Sequence, residues 1–131
     1  MQITHMLIVC GGRDYDDRAK VEWILDAIRM KHPGLAIIHG GARGADTLAD
    51  EWARSRGVPF YAVRAEWDRY GKAAGMKRNR EMLDMLLDHQ KAGRVVGVVA
   101  FPGGRGTAGM VAIAQQAGVT VWQPVREMAT T

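Results

Sequence analysis

The sequence predicts an α/β fold: a doubly wound, mostly parallel sheet of five strands in one domain spanning residues 1–131. Three observations predict it. Short apolar runs alternate with longer stretches of helical period, and parallel neighbours in a sheet require such crossover helices. Three of the runs end in a Gly-Gly pair, at Gly11-Gly12, Gly40-Gly41 and Gly103-Gly104, which places three bare loops along one edge of the sheet. In open α/β sheets that edge is where ligands bind. The length, 131 residues, suits one core and leaves no room for a second.

The first strand is expected over 6–10, and the first helix over 16–31, where Val21, Ile24, Leu25 and Ile28 recur at helical spacing. Pro33-Gly34 stops that helix. A second strand over 36–39 leads into a helix over 43–57 with Leu48, Trp52 and Ala53 on its apolar side. After Pro59 a third strand is expected over 60–64. Residues 65–75 show no period and read as a loop over the strand ends, a length at which loops are often functional. A helix over 76–91 follows, packed through Met82, Met85, Leu86 and His89, then a strand over 95–101, a helix over 107–117 and a strand over 119–122. No linker, repeat array or low-complexity segment interrupts the pattern.

Hydrophobic residues make up 47% of the chain and charged residues 24%, the composition of a folded globular protein. The lone Cys10 cannot form an internal disulfide, and the chain has no long apolar span, so a cytoplasmic protein without membrane contact is expected. Net charge is +4, mildly basic and favourable to a phosphate-bearing partner. The densest positive cluster holds Arg64, Arg69, Lys72, Lys77, Arg78 and Arg80, diluted by Glu66, Asp68 and Glu81. It reads either as a solvated face or as a ligand-facing one. Met30, Trp52, Met82, Met85 and Met110 offer apolar surface for a homo-oligomer, or else fill the core.

The 16 glycines exceed the ~7% of average chains, and the excess concentrates in the strand-end loops. A buried strand running into glycines and then a helix builds an anion site from backbone N–H groups backed by the helix dipole. In Pro102-Gly103-Gly104-Arg105-Gly106-Thr107 the glycines would let the backbone approach a phosphate, while Thr107 donates to the same anion or serves as a plain helix cap. Gly40, Gly41, Arg43 and Gly44 form a second cradle, with the planar fork of Arg43 suited to phosphate. Gly11, Gly12, Arg13 and Asp14 follow the first strand, where Asp14 either accepts from a ribose or base or begins a turn. Asp46 reads as an acid favoured by the helix dipole, or as a ribose or general-acid group. Trp67 stacks on a base or plugs the loop, and Arg78 with Asn79 faces a ligand. Trp23 is expected in the core or a dimer contact, and His39 and Cys10 as packed strand ends. No closely spaced metal-ligand set is present, so neither a metal nor a cofactor is expected.

Together, Gly11-Gly12-Arg13-Asp14-Tyr15, the stretch from His39 to Asp46, the 67–79 segment and the Pro102 to Thr107 turn resemble the YspA/YpsA-related branch of the SLOG superfamily. That superfamily also holds the LOG phosphoribohydrolases, the DNA-processing protein DprA and nucleotide-sensing domains. The resemblance runs from Ile8 to about Val121 and implies a Rossmann-like nucleotide site. LOG-type enzymes carry glutamates just after the Gly-Gly-x-Gly-Thr turn, suited to N-glycosidic cleavage, whereas this chain has Ala108, Gly109 and Met110. Asp14, Asp46 and Glu81 are the only acids placed near the strand ends to substitute for them. The expected function is therefore binding of an ADP-ribose or NAD derivative or a nucleoside phosphate, as a sensor or sequestering module. The alternatives are a phosphoribohydrolase-like enzyme and a DprA-like nucleic-acid binder.

Overall fold

In the computed structural model, which describes residues 2–124, five strands form one all-parallel sheet in the order β3-β2-β1-β4-β5. The strands are β1 His5–Cys10, β2 Leu35–His39, β3 Phe60–Ala62, β4 Val95–Ala100 and β5 Val121–Trp122. The helices are α1 Arg18–Lys31, α2 Ala45–Arg56, α3 Trp67–Tyr70, α4 Ala74–Lys91 and α5 Arg105–Gln116. Strand order reverses beside β1, which pairs with β4 from His5 opposite Val95 to Cys10 opposite Ala100. The loops leaving these two strands run to opposite sides and open a crevice at the carboxyl ends.

Side chains alternate across each strand, so the sheet has two apolar faces. Met6, Ile8 and Cys10 of β1 face Met82, Leu83 and Leu86 of α4 and Met110, Ile113 and Ala114 of α5. Val9 belongs to the other face, with Val21, Ile24 and Leu25 of α1 and Leu48, Ala49, Trp52 and Ala53 of α2. The expected doubly wound Rossmann-like architecture is what the chain adopts, with every strand parallel.

Some boundaries differ for identifiable reasons. α1 begins at Arg18 because Asp17 caps it, accepting from the Lys20 N–H at 3.0 Å. The 65–75 segment is not an open loop: it holds α3 and a 3₁₀ turn over Gly71–Ala73, which run into α4 two residues earlier than expected. A four-residue helix is too short to display a period. α5 starts at Arg105 with Gly104 as its N-cap, which corrects the reading of Thr107 as a cap and puts it in the first turn.

The methionine and tryptophan expectations divide. Trp52, Met82 and Met110 are core residues, so they leave no surface for self-association; Trp52 also donates its indole N–H to Asp26 at 2.8 Å. Trp23 is 64% exposed with Lys20 over its ring, which removes the core alternative for it, and Met30 is exposed as well. No helix among the described residues is long and apolar enough to cross a membrane.

Candidate functional site

β1, β2 and β4 deliver their glycine loops to one end of the sheet, and the glycines there divide into two kinds. The first kind makes room for the protein itself. A Cβ on Gly11 would meet the Ala45 Cβ at 2.6 Å, and one on Gly12 would meet the Gly103 Cα and Pro102 O at 3.0 Å. The Gly12 N–H donates to Pro102 O at 2.8 Å, fastening the β1 loop to the β4 loop. Gly103 is filled by the Thr107 hydroxyl, and Gly40 by the Arg78 guanidinium. The second kind faces empty space: nothing lies within 4 Å of a Cβ on Gly104 or Gly106.

Those two open glycines sit at the start of α5. Its backbone ladder begins with Ala108 N–H to Gly104 O at 3.0 Å, so the N–H groups of Arg105, Gly106 and Thr107 have no partner in the helix. They border a cleft of about 450 Å³ whose other walls include Gly11, Gly12, Arg13, Asp14, Asp46, Trp67, Arg78 and Asn79. Of the residues expected from sequence, Gly104, Gly106 and Thr107 share this cleft with them. Gly40, Gly41 and Arg43 line an adjoining pocket of about 340 Å³ together with Arg13, Ala42, Arg64, Trp67 and Arg78. Pro102 and Gly103 line another, mainly apolar hollow of about 500 Å³ with Val111 and Gln115 of α5, which shares Gly104 and Thr107 with the cleft. Gly44 packs under the β1 loop instead of facing a cavity. Glu81 is exposed on α4 and borders none of these spaces.

Arg78 and Asn79 brace the site. Arg78 Nη1 donates to Gly40 O at 2.7 Å and its Nε donates to Asn79 Oδ1 at 3.1 Å, while Asn79 Nδ2 donates to Gly106 O at 3.1 Å. One buried side chain of α4 thus ties the β2 loop, through Arg78, to the first turn of α5. His39 fixes the same β2 loop from below: fully buried, it accepts the Gly41 N–H at Nδ1 (3.0 Å) and bonds Asp50 through Nε2 (2.8 Å). Both ring nitrogens are therefore occupied within the fold, as is fitting for a packed strand end. Burial pushes the Cys10 thiol up to about 12, which removes it as a nucleophile at neutral pH.

Asp46 is the buried acid of the cleft, 6% exposed. Burial raises its carboxyl above the ordinary aspartate range, opposed by the Ala42 N–H (3.2 Å) and by the nearby His39 and Arg78. A carboxyl whose folded pKa is raised binds its proton more tightly in the native state. Its contribution to stability is full below the unfolded value of ~3.9 and is lost as pH rises through the folded value. Comparing urea unfolding of the wild type with Asp46→Asn should show the wild type losing ground between pH 4 and the raised folded value. A difference constant with pH would contradict it. Asp14, by contrast, is 95% exposed and meets Arg43 at 3.4 Å, a surface pair of little energetic weight.

Sequence reasoning placed Arg64 in a charge cluster but not in the site. It lies just past β3, as Arg13 follows β1 and Arg43 follows β2, and that recurrence of an arginine after a strand end was the available signal. Lys72, Gly75, Met76 and Arg105 also line the cleft; Lys72 and Gly75 belong to the 65–75 segment, which folds back as helix.

Fold and crevice together define a doubly wound, Rossmann-like α/β domain with glycine-rich loops at its strand-order switch. Within that class, the chain belongs to the YspA, cpYpsA-related SLOG family, whose profile matches residues 6–70. It is 38% identical over 123 residues to the Gene 61 protein of Mycobacterium phage D29, covering 88% of this chain and 92% of that protein. Among solved structures it is similar to DNA processing protein A from Streptococcus pneumoniae, with a TM-score of 0.50 and 20% identity. That match takes in 95% of this chain but only 60% of the longer protein, and at this identity it speaks for the fold alone.

Proposed function

We propose that the cleft binds a nucleotide or nucleotide-derived ligand through its phosphate and releases it unchanged, as a sensor or sequestering module. The observation that carries this reading is the pair of open glycines, Gly104 and Gly106, beside unpartnered N–H groups at the start of a twelve-residue helix. An anion there gains several hydrogen bonds and the helix dipole at once. Trp67, 46% exposed with Arg13 over its ring at 5.1 Å, supplies a surface on which a base can stack. Membership of the SLOG family supports a nucleotide-related role in general.

Binding without turnover is favoured by the acids present. Gly109 packs against Met76 and Met110 is buried, so no carboxylate stands where LOG-type enzymes carry theirs. Asp46 is held by a backbone N–H and Asp14 points to solvent. Of the apolar residues first considered for self-association, Met30 is exposed on α1, the helix that also exposes Trp23.

Equilibrium dialysis of the protein against nucleoside monophosphates, NAD and ADP-ribose, with mass spectrometry of both chambers, tests the reading. Retention of an unchanged nucleotide is expected. Appearance of free base or ribose phosphate, abolished by Asp46→Asn, would replace it with the enzymatic alternative. Retention of single-stranded DNA alone, falling steeply with salt, would replace it with nucleic-acid binding.

A further inference from the structure

The pocket next to the cleft is an arginine cluster with more positive than negative groups: four arginines against the exposed Asp14 beside Arg43 and the buried Asp46 near Arg78. Arg13, Arg43, Arg64 and Arg78 come from the ends of β1, β2 and β3 and from α4, and all four line one space of about 340 Å³. Among the described residues, Arg13, Arg64 and Arg78 have no carboxylate within ion-pair distance, and Arg43 has only the exposed Asp14 at 3.4 Å. Two of the guanidinium groups are held in place by the backbone: Arg64 Nη1 donates to Gly41 O at 2.9 Å and Arg78 Nη1 to Gly40 O at 2.7 Å. Each fork keeps further N–H donors free. Like charges assembled this way repel one another: the Arg78 pKa is lowered first by desolvation, opposed by Asp46, and lowered further by Arg13. A dianion in the pocket would relieve that repulsion and accept charge-assisted bonds.

The cleft and the arginine pocket meet along Arg13, Ala42, Trp67 and Arg78, so Trp67 forms part of the wall of both. We propose that the arginine pocket takes a second phosphate, so that the ligand is a nucleotide bearing phosphates on two separate positions of one nucleoside. The nucleoside lies against Trp67, one phosphate at the start of α5 and the other among the arginines. This rests on the phosphate reading of the cleft and narrows its ligand to a class.

Adenosine 3′,5′-bisphosphate and adenosine 5′-diphosphate share one composition and differ in where the second phosphate sits. Adenosine 5′-triphosphate, which matches the four negative charges of the fully ionised bisphosphate, controls for charge and should also bind at least tenfold more weakly than it. Calorimetric titration with adenosine 3′,5′-bisphosphate, adenosine 5′-diphosphate and adenosine 5′-monophosphate, and with their guanine counterparts, should give at least tenfold tighter binding of the bisphosphate than of either other ligand. In Arg64→Gln, and separately in the exposed Arg43→Gln, that preference should shrink toward one. Equal affinity for the two isomers in the wild type would overturn the second subsite while leaving the cleft reading intact. A preference untouched by both substitutions would also overturn it. No binding of any of these nucleotides would count against both. The 5′-phosphorylated dinucleotide pApA distinguishes the source: binding weaker than the bisphosphate keeps the ligand a small molecule, whereas tighter binding would replace it with the end of a nucleic-acid strand.

Discussion

Replacing Gly44 by alanine should cost about 3 kcal/mol of stability, the largest single effect expected from any glycine in the strand-end loops. Gly44 has φ of +81°, and a Cβ there would run into Gly12 O and stand 2.6 Å from the Arg13 backbone. Left-handed backbone costs an L-residue ~1–2 kcal/mol, and the clash falls on main-chain atoms that cannot rotate away. The loop those atoms belong to is also pinned, because Ala45 N–H donates to Gly12 O at 3.1 Å. Gly57 provides the control. It has φ of +68° at the end of α2 but nothing within 4 Å of its Cβ, so Gly57→Ala should cost only about 1 kcal/mol. Urea unfolding of both variants decides it, and equal costs would show that loop crowding contributes nothing.

Gly104→Asp should reduce nucleotide affinity at least a hundredfold while changing stability by no more than about 1 kcal/mol. Gly104 has φ of −97° and open space for a side chain, and aspartate is a favoured residue at a helix N-cap. Its carboxylate would accept from the first-turn N–H groups of α5 and so occupy the place of the ligand's phosphate with a charge of the same sign. Binding and folding therefore part company at this position, the reverse of Gly44. Dialysis and urea unfolding of the same variant report the two quantities. Undiminished affinity would place the ligand elsewhere on the molecule.

Much of the fold was legible because burial and period coincide in this chain. β1, β2 and β4 are short apolar runs closed by Gly-Gly, and Val21, Ile24 and Leu25 or Leu48, Trp52 and Ala53 trace helix faces that the sheet does cover. Residues 65–75 were illegible because α3 and the 3₁₀ turn bury no residue of their own and so leave no periodic mark. The start of α5 was misread for a related reason: Thr looks like a cap in any sequence, but here a glycine holds that place. Loop identity was visible in the glycines, whereas their division was not. Whether a glycine accommodates Ala45, the Thr107 hydroxyl or empty space depends on which loops lie side by side, and strand order alone decides that. Trp23 shows the converse limit, since helical spacing does not say which side of α1 the sheet takes.

If phosphate is held at the start of α5 with the nucleoside against Trp67, amide NMR during titration with adenosine and guanosine 5′-monophosphates will register both contacts. Saturable shifts of the Arg105, Gly106 and Thr107 amides and of the Trp67 indole are expected, while the buried Trp52 indole stays in place. Saturable shifts confined to other surfaces, or none at millimolar nucleotide, would contradict that placement.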